Sequence, residues 1–132
     1  NEGHFMQRVK IPNGIATTEQ LRELGRIAQE YGRDLIDITT RQTFQYHWLT
    51  IDKIPEIYER LARVDLMTAG ACGDITRNIV GCPLAGLLHD EIVDARPIVD
   101  EVHRTFPVKE FSNLPRKYKI SISGCRIHCA QP

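Results

Sequence analysis

No charge of one sign dominates this chain. Its 17 Lys and Arg balance its 17 Asp and Glu, so the formal net charge is zero. Bulk charge therefore offers no attraction to a nucleic-acid backbone or an anionic membrane surface, and neither partner is expected. A positive site, if there is one, has to come from local placement. No apolar run approaches the ~20 residues that cross a bilayer, and the start carries no basic, apolar, small-residue signal sequence. Cysteine is scarce: of Cys72, Cys82, Cys125 and Cys129, only the last two are close in sequence. Without a secretory signal such a set does not read as a disulfide framework, and the cytoplasm is the expected location. Repeats, low-complexity tracts and long linkers are missing too. The first residue is not Met, and the sequence stops at Ala130-Gln131-Pro132, just after a Cys-rich turn. A segment of a longer protein is expected.

What the chain does have is an ordinary globular composition. Apolar residues make up 42% and charged residues 26% of 132 positions, enough for one modest domain or two small half-domains. Alternation over 5–11 predicts a strand with Phe5, Val9 and Ile11 on one face and Met6, Arg8 and Lys10 on the other. Pro12-Asn13-Gly14 marks a turn. Leu21, Leu24, Ile27, Ala28 and Tyr31 recur at helical spacing and predict a helix over 18–31, with Thr17 and Gln20 as a capping box and Gly32 as the stop. Strands are read over 34–40 and 42–49. A second helix is read over 55–64, with Ile54, Ile57, Tyr58, Leu61 and Val64 inward and a proline near its start. The order β-α-β-β-α is that of a ferredoxin-like split unit. From 67 to 95 the sequence is rich in Gly, Cys, Pro and Asp and keeps no clean period. A third helix is predicted near 97–106, carried by Ile98, Val99, Val102 and Phe106, and a strand over 117–123. The expected fold class is α+β: a ferredoxin-like β-α-β-β-α unit over 1–68, then the beginning of a mixed α/β domain over 69–132.

Strand parity locates the candidate chemistry. Phe44, Tyr46 and Trp48 share one face of their strand, and Arg41, Thr43, Gln45 and His47 share the other. Over 117–123, Tyr118, Ile120 and Ile122 oppose Lys117, Lys119, Ser121 and Ser123. With Arg8 and Lys10 from the first strand, three strands set an apolar face against a basic, hydrogen-bonding face that carries no acid. A wetted sheet face accounts for polarity alone, but such faces ordinarily mix Lys with Glu. The missing acids suit a multiply charged anion, for which Arg offers fixed paired donors and Lys a mobile point charge. Arg77 lies in Cys72-Gly73-Asp74-Ile75-Thr76-Arg77-Asn78, a Gly-containing loop able to bring donors close to a ligand; a structural ion pair with Asp74 is the competing reading. The spacing in Cys125-Arg126-Ile127-His128-Cys129 is unspecific and no second close pair accompanies it. No metal site is assigned, and the four cysteines are not expected to bind an iron–sulfur cluster together. His4, His89 and His103 read as surface or helix-face residues.

Five segments stand out as motifs: Phe5-Met6-Gln7-Arg8-Val9-Lys10-Ile11-Pro12-Asn13-Gly14; Thr39-Thr40-Arg41-Gln42-Thr43-Phe44-Gln45; Cys72-Gly73-Asp74 with Arg77-Asn78; Gly81-Cys82-Pro83-Leu84-Ala85-Gly86; and Leu114-Pro115-Arg116-Lys117-Tyr118-Lys119. In their order and spacing they resemble the sirohaem-dependent, ferredoxin-type nitrite and sulfite reductases, over nearly the whole chain. The resemblance implies a six-electron reduction, nitrite to ammonia or sulfite to sulfide. It implies sirohaem joined through a cysteine sulfur to a [4Fe–4S] cluster, and electrons from ferredoxin or another donor. Matched onto this sequence, the family's substrate-anion ligands fall on Arg8, Arg77, Lys117 and Lys119. Contacts to the sirohaem carboxylates fall on Arg41, Thr43, Gln45 and His47. Residues 69–132 would be the N-terminal part of the sirohaem and [4Fe–4S] domain. The family's cluster cysteines lie in a second, pseudo-symmetric half, of which Cys125 and Cys129 look like a first-half echo. The segment is thus expected to need the remaining C-terminal half of the enzyme and to be inactive alone. Gly81-Cys82-Pro83-Leu84-Ala85-Gly86 and Glu91-Ile92-Val93-Asp94-Ala95-Arg96-Pro97 look more like the nitrite branch, and Thr43-Phe44-Gln45 like the sulfite branch.

The alternative is a non-catalytic ferredoxin-like module that binds RNA or a tetrapyrrole. RNA-binding versions show aromatics among the basic residues of an open sheet face. Here Phe44, Tyr46 and Trp48 are expected on the opposite face, under the helices.

Overall fold

Strand and helix periodicity in the first half of the chain translate into a three-stranded sheet covered by two helices. Strand β1 is Phe5–Lys10, helix α1 Thr18–Tyr31, strand β2 Asp37–Ile38, strand β3 Thr43–Leu49 and helix α2 Ile54–Arg63. The computed structural model describes residues 2–71, 73–106, 110–127 and 130. Its internal contacts separate two units, one of residues 1–11 and 16–69, the other of 12–15 and 70–132.

In the first unit the sheet order is β1-β3-β2, with both pairings antiparallel. The outer strands therefore run in the same direction and α1 connects them, which gives the split β-α-β arrangement expected from the sequence. The capping box forms. The Gln20 backbone N–H donates to Thr17 Oγ1 at 3.2 Å, and the Thr17 N–H donates to Gln20 Oε1 at 2.9 Å. At the other end the Gly32 N–H donates to the Ala28 carbonyl at 2.8 Å. Thr17→Ala is expected to lower stability by about 1 kcal/mol, measured by urea unfolding of the chain. The core gathers Val9, Ile11, Leu24, Ile27, Ala28, Tyr46, Leu49, Ile57, Leu61 and Leu66. Tyr46 is wholly buried, donates its hydroxyl to the Leu24 carbonyl at 2.9 Å, and has its pKa raised by burial.

Three sequence expectations change here. The second strand is short, because Arg33 and Asp34 both adopt left-handed backbone (φ 56° and 59°) and extend the turn after α1. Leu21 and Tyr58 lie on the outer faces of their helices and are largely exposed; Tyr58 donates to Gln7 Oε1 at 3.0 Å. Most consequentially, the register slips by one residue between Phe5/Leu49 and Gln7/Tyr46. Trp48 has φ 65° at this bulge. Parity therefore fails after His47. Leu49, not Trp48, enters the core, and Phe5 is half exposed. The Trp48 ring instead takes the Arg33 guanidinium over its face, 4.4 Å from the centroid, and the His4 ring against it at 5.9 Å.

The second unit contains a 3-10 turn, Pro12–Gly14, strand β4 (Val80–Gly81), helix α3 (Arg96–Thr105) and strand β5 (Ser121–Ile122). β4 and β5 pair in parallel, with α3 between them in the chain, a mixed α/β pattern in keeping with expectation. Of α3's apolar residues, Val99 is wholly buried, while Ile98 is exposed. The strand read over 117–123 shrinks to Ser121–Ile122. Its first part is a turn closed by the Tyr118 N–H on the Pro115 carbonyl at 3.1 Å, with Lys117 at φ 63°. Asn13 (φ 55°) ties the 3-10 turn to the strand region by donating its N–H to the Ile79 carbonyl at 3.1 Å.

Candidate functional site

One face of the first unit's sheet collects the predicted polar residues. Cross-strand register puts Arg8 opposite Gln45 and Lys10 opposite Thr43, while Val9 and Phe44 between them turn to the core side. The Arg8 Nε donates to Gln45 Oε1 at 3.1 Å, and its Nη2 donates to the same oxygen. Thr43 is buried and shares a 2.6 Å hydroxyl contact with Thr39. His47 Nε2 lies 3.1 Å from Asp37 Oδ2. Arg41 is half-buried just before β3, in the connection where the Gln42 N–H donates to the Thr39 carbonyl at 3.0 Å. Arg8, Thr43, Gln45 and His47 thus fall on the side of the sheet away from Phe44 and Tyr46. Sequence reading had missed two features. Asp37 supplies an acid to this face from β2. Lys10, counted only as one more polar-face residue, is 3% exposed, and its burial pulls its pKa below the ordinary lysine range. Strand alternation assigns a side chain to a face but says nothing of how deeply that face is covered.

The second unit brings together the other predicted anion ligands. The Leu114 N–H donates to the Asp74 carbonyl at 2.9 Å, and the Arg77 N–H donates to the Tyr118 carbonyl at 3.3 Å. These two backbone bonds hold the Asp74–Arg77 loop beside the turn that carries Lys117 and Lys119. Arg77 does not pair with Asp74. Its Nη1 donates to the Ala71 carbonyl at 2.9 Å, and its buried Nε has no partner among the described residues. Thr76 is buried beside it with an unpartnered hydroxyl. Lys117 and Lys119 are exposed and no longer share a strand face, since Lys117 sits in the turn. Buried donors without acceptors are costly. A polyanion would supply acceptors, so this donor set suits one.

Cys82 and Cys125 are buried thiols outside any disulfide. Cys72, His128 and Cys129 lie outside the described residues, so the expectation about joint cluster ligation falls partly there. Among the described residues, no group of three His, Cys, Asp or Glu side chains is placed to hold a metal ion, and no helix is long and apolar enough to cross a membrane. A cavity of about 330 Å³ lined by Leu88, Asp90, Glu91, Ile92, Cys125, Arg126 and Ile127 contains none of the predicted site residues.

Comparison with known proteins places these observations. Residues 1–64 match the family described as the nitrite/sulfite reductase ferredoxin-like half domain, and residues 72–132 match the nitrite and sulphite reductase 4Fe-4S domain. A sulfite reductase [ferredoxin] of Mycobacterium tuberculosis is 45% identical over 122 residues, covering 92% of this chain and 22% of the relative. The assimilatory ferredoxin-dependent nitrite reductase of Haloferax mediterranei is 40% identical, covering 98% of this chain and 24% of the relative. Among solved structures, the Mycobacterium tuberculosis NirA protein superposes with a TM-score of 0.85 at 45% identity, over 92% of this chain and 22% of that one. Dissimilatory sulfite reductase I superposes with a TM-score of 0.80 over 96% of this chain and 30% of that one; at 16% identity it speaks for the fold alone. The chain therefore spans about a quarter of the length of these relatives.

Proposed function

The chain belongs to the nitrite and sulfite reductase family, and from that premise we propose that it is the N-terminal part of a reductase converting nitrite to ammonia or sulfite to sulfide. The proposed division is a ferredoxin-like half-domain over 1–68 and the first part of the catalytic domain over 69–132. The observation that carries the reading is the backbone bridging of the Asp74–Arg77 loop to the Leu114–Tyr118 turn. It joins the loop that carries the buried, unpartnered donors of Thr76 and Arg77 to the segment that carries Lys117 and Lys119.

The polar face of the first unit's sheet fits sirohaem, whose periphery is rich in carboxylates. Arg41, Thr43, Gln45 and His47 are the residues proposed to hold them. When bound, sirohaem with its [4Fe–4S] cluster supplies the electrons and the iron to which the substrate binds. The cluster's ligands are proposed to lie outside these 132 residues. The chain's own share is electrostatic. Arg8, with its guanidinium steered by Gln45, and Arg77, steered by the Ala71 carbonyl, orient the anion. Lys117 and Lys119 stabilise charge that builds on the substrate oxygens as the N–O or S–O bonds break, and pass protons to them from water. Ferredoxin or a similar carrier is the proposed electron donor, and the cytoplasm the proposed location.

The test is made on the complete protein. Purified from cells able to make sirohaem, it should show the tetrapyrrole's visible absorption and turn over nitrite or sulfite with a reduced ferredoxin; comparing kcat/KM for the two anions identifies the substrate. Arg77→Ala is expected to lower kcat/KM at least 100-fold, as loss of a charged transition-state contact does. A protein with no tetrapyrrole absorption and no turnover of either anion would defeat the proposal.

A further inference from the structure

The polar face of the first unit's sheet sets an arginine and an aspartate in one row with an amide between them. Arg8 on β1 stands directly opposite Gln45 on β3, and Gln45 stands directly opposite Asp37 on β2. Side chains opposite one another in antiparallel strands share a face. Asp37 is the only acid in the three strands. Neighbouring strands lie about 4.8 Å apart, so the Arg8 and Asp37 backbones are about 10 Å apart, a gap that their two side chains together span. Each is nevertheless held by a different partner. The Arg8 Nε donates to Gln45 Oε1 at 3.1 Å and its Nη2 donates to the same oxygen, while Asp37 Oδ2 lies 3.1 Å from His47 Nε2. A guanidinium only donates, so the Gln45 amide has to present its oxygen to Arg8. That oxygen is neutral. It fixes the direction of the guanidinium and leaves its charge uncompensated. A carboxylate in the same place would hold Arg8 too, but would cancel the charge that an incoming anion needs.

We infer that Gln45 is a positioning residue for substrate binding: it holds Arg8 by a neutral acceptor and keeps it off Asp37, so that the guanidinium charge stays open to the nitrite or sulfite anion. The inference rests on the function proposed above. His47 completes the separation by engaging Asp37. The Arg8–Gln45 contact is partly buried, where screening is weaker than in open solvent, so a carboxylate swung onto Arg8 would compete directly with a small anion. The amide nitrogen of Gln45, which Arg8 does not use, remains the group proposed to meet the cofactor. A glutamate at this position would serve neither purpose, since it would neutralise Arg8 and repel a cofactor carboxylate.

The experiment uses the complete enzyme. Binding of nitrite and of sulfite is followed through the change each causes in the visible absorption of the bound sirohaem, normalised to sirohaem content. Gln45→Ala releases Arg8 toward Asp37 and should raise the anion's Kd about tenfold, the loss of one charge-assisted contact. Asp37→Asn removes the competing carboxylate. In the Gln45→Ala background it should recover most of the lost affinity, far more than it adds to the wild type, a non-additive pair in a double-mutant cycle. Gln45→Glu should keep Arg8 in place and still raise the Kd about tenfold, because the charge is cancelled. A crystal structure of Gln45→Ala, with or without cofactor, should show the Arg8 guanidinium against the Asp37 carboxylate. Wild-type affinity in Gln45→Ala or in Gln45→Glu overturns the inference. So does a loss of affinity that Asp37→Asn leaves unrepaired, or an Arg8 that keeps its original place in the Gln45→Ala structure. If Gln45→Ala does not fold, Gln45→Val, whose side chain suits a strand, makes the same comparison. A wild-type protein that binds neither anion overturns the functional reading and this inference with it, and is distinguishable because it precedes any substitution.

Discussion

Replacing Lys117 by methionine in the complete enzyme should lower kcat by about 100- to 1000-fold while sirohaem content stays near that of the wild type, the range expected when a preorganised donor to developing charge is removed. Lys117 occupies the third position of a turn closed by Tyr118 and Pro115, with φ 63°. That position ordinarily takes glycine, because a Cβ crowds the backbone there. Lysine in such a place is locally unfavourable, and residues held against their preference cluster where function requires them. A second substitution separates the two costs. Lys117→Gly should raise thermal stability, by about 1 kcal/mol, and still abolish turnover. Activity and sirohaem content falling together in Lys117→Met would instead make Lys117 a cofactor-holding residue. Lys117→Gly that is less stable than the wild type would show that the turn is not strained.

The largest effect on folding is expected from Gly81→Ala. A Cβ built on Gly81 would lie 1.5 Å from Asn13 Oδ1 and 2.7 Å from its Cγ. Asn13 cannot simply step aside: it is 4% exposed and its own N–H is bonded to the Ile79 carbonyl at 3.1 Å. Overpacking against an anchored group should cost about 3 kcal/mol, at the high end for single substitutions. The same contact predicts its rescue. Asn13→Gly suits the left-handed φ of 55° and removes a buried amide oxygen that has no partner among the described residues. The double variant Gly81→Ala/Asn13→Gly should therefore regain most of the lost stability in a double-mutant cycle. Additive losses would show that the two residues do not meet. If they do meet, two of the motifs that mark the family, Pro12-Asn13-Gly14 and the one opening at Gly81, are two sides of one fit.

What was legible in the sequence is the part governed by local periodicity and capping. The bounds of α1 coincide with its reading because Thr17, Gln20 and Gly32 each satisfy a helix-end group within a few residues. The β-α-β-β-α order follows from alternating strands around two amphipathic helices. Where the reading failed, the cause was a backbone conformation that residue type does not announce. A tryptophan at φ 65° shifts the parity of β3, and a lysine at φ 63° puts a turn in place of the first part of the strand expected at 117–123, leaving Ser121–Ile122. Both are residues that ordinarily avoid positive φ. Lys10 failed differently: alternation gave its face, but its burial depends on what covers that face. In the site, the parity of Thr43, Gln45 and His47 was readable because the bulge falls after them. The neighbouring placement of Arg77 and the Lys117 turn rests on two long-range backbone bonds, which only the motif resemblance had hinted at.

The membership of Pro12–Ile15 in the second unit bears on how the chain can be cut and how it emerges from the ribosome. Translation produces these four residues before the segment they join, around Ile79 and Gly81. Until then the turn has no Ile79 carbonyl to receive the Asn13 N–H, and Asn13 has no Gly81 to lie against. Closing so long a loop is entropically slow. The second unit should therefore mature after the first during synthesis. Expressed from residue 70 onward it would lack its own N-terminal turn. A short peptide spanning residues 12–15, supplied in trans, is the missing piece that such a fragment would need.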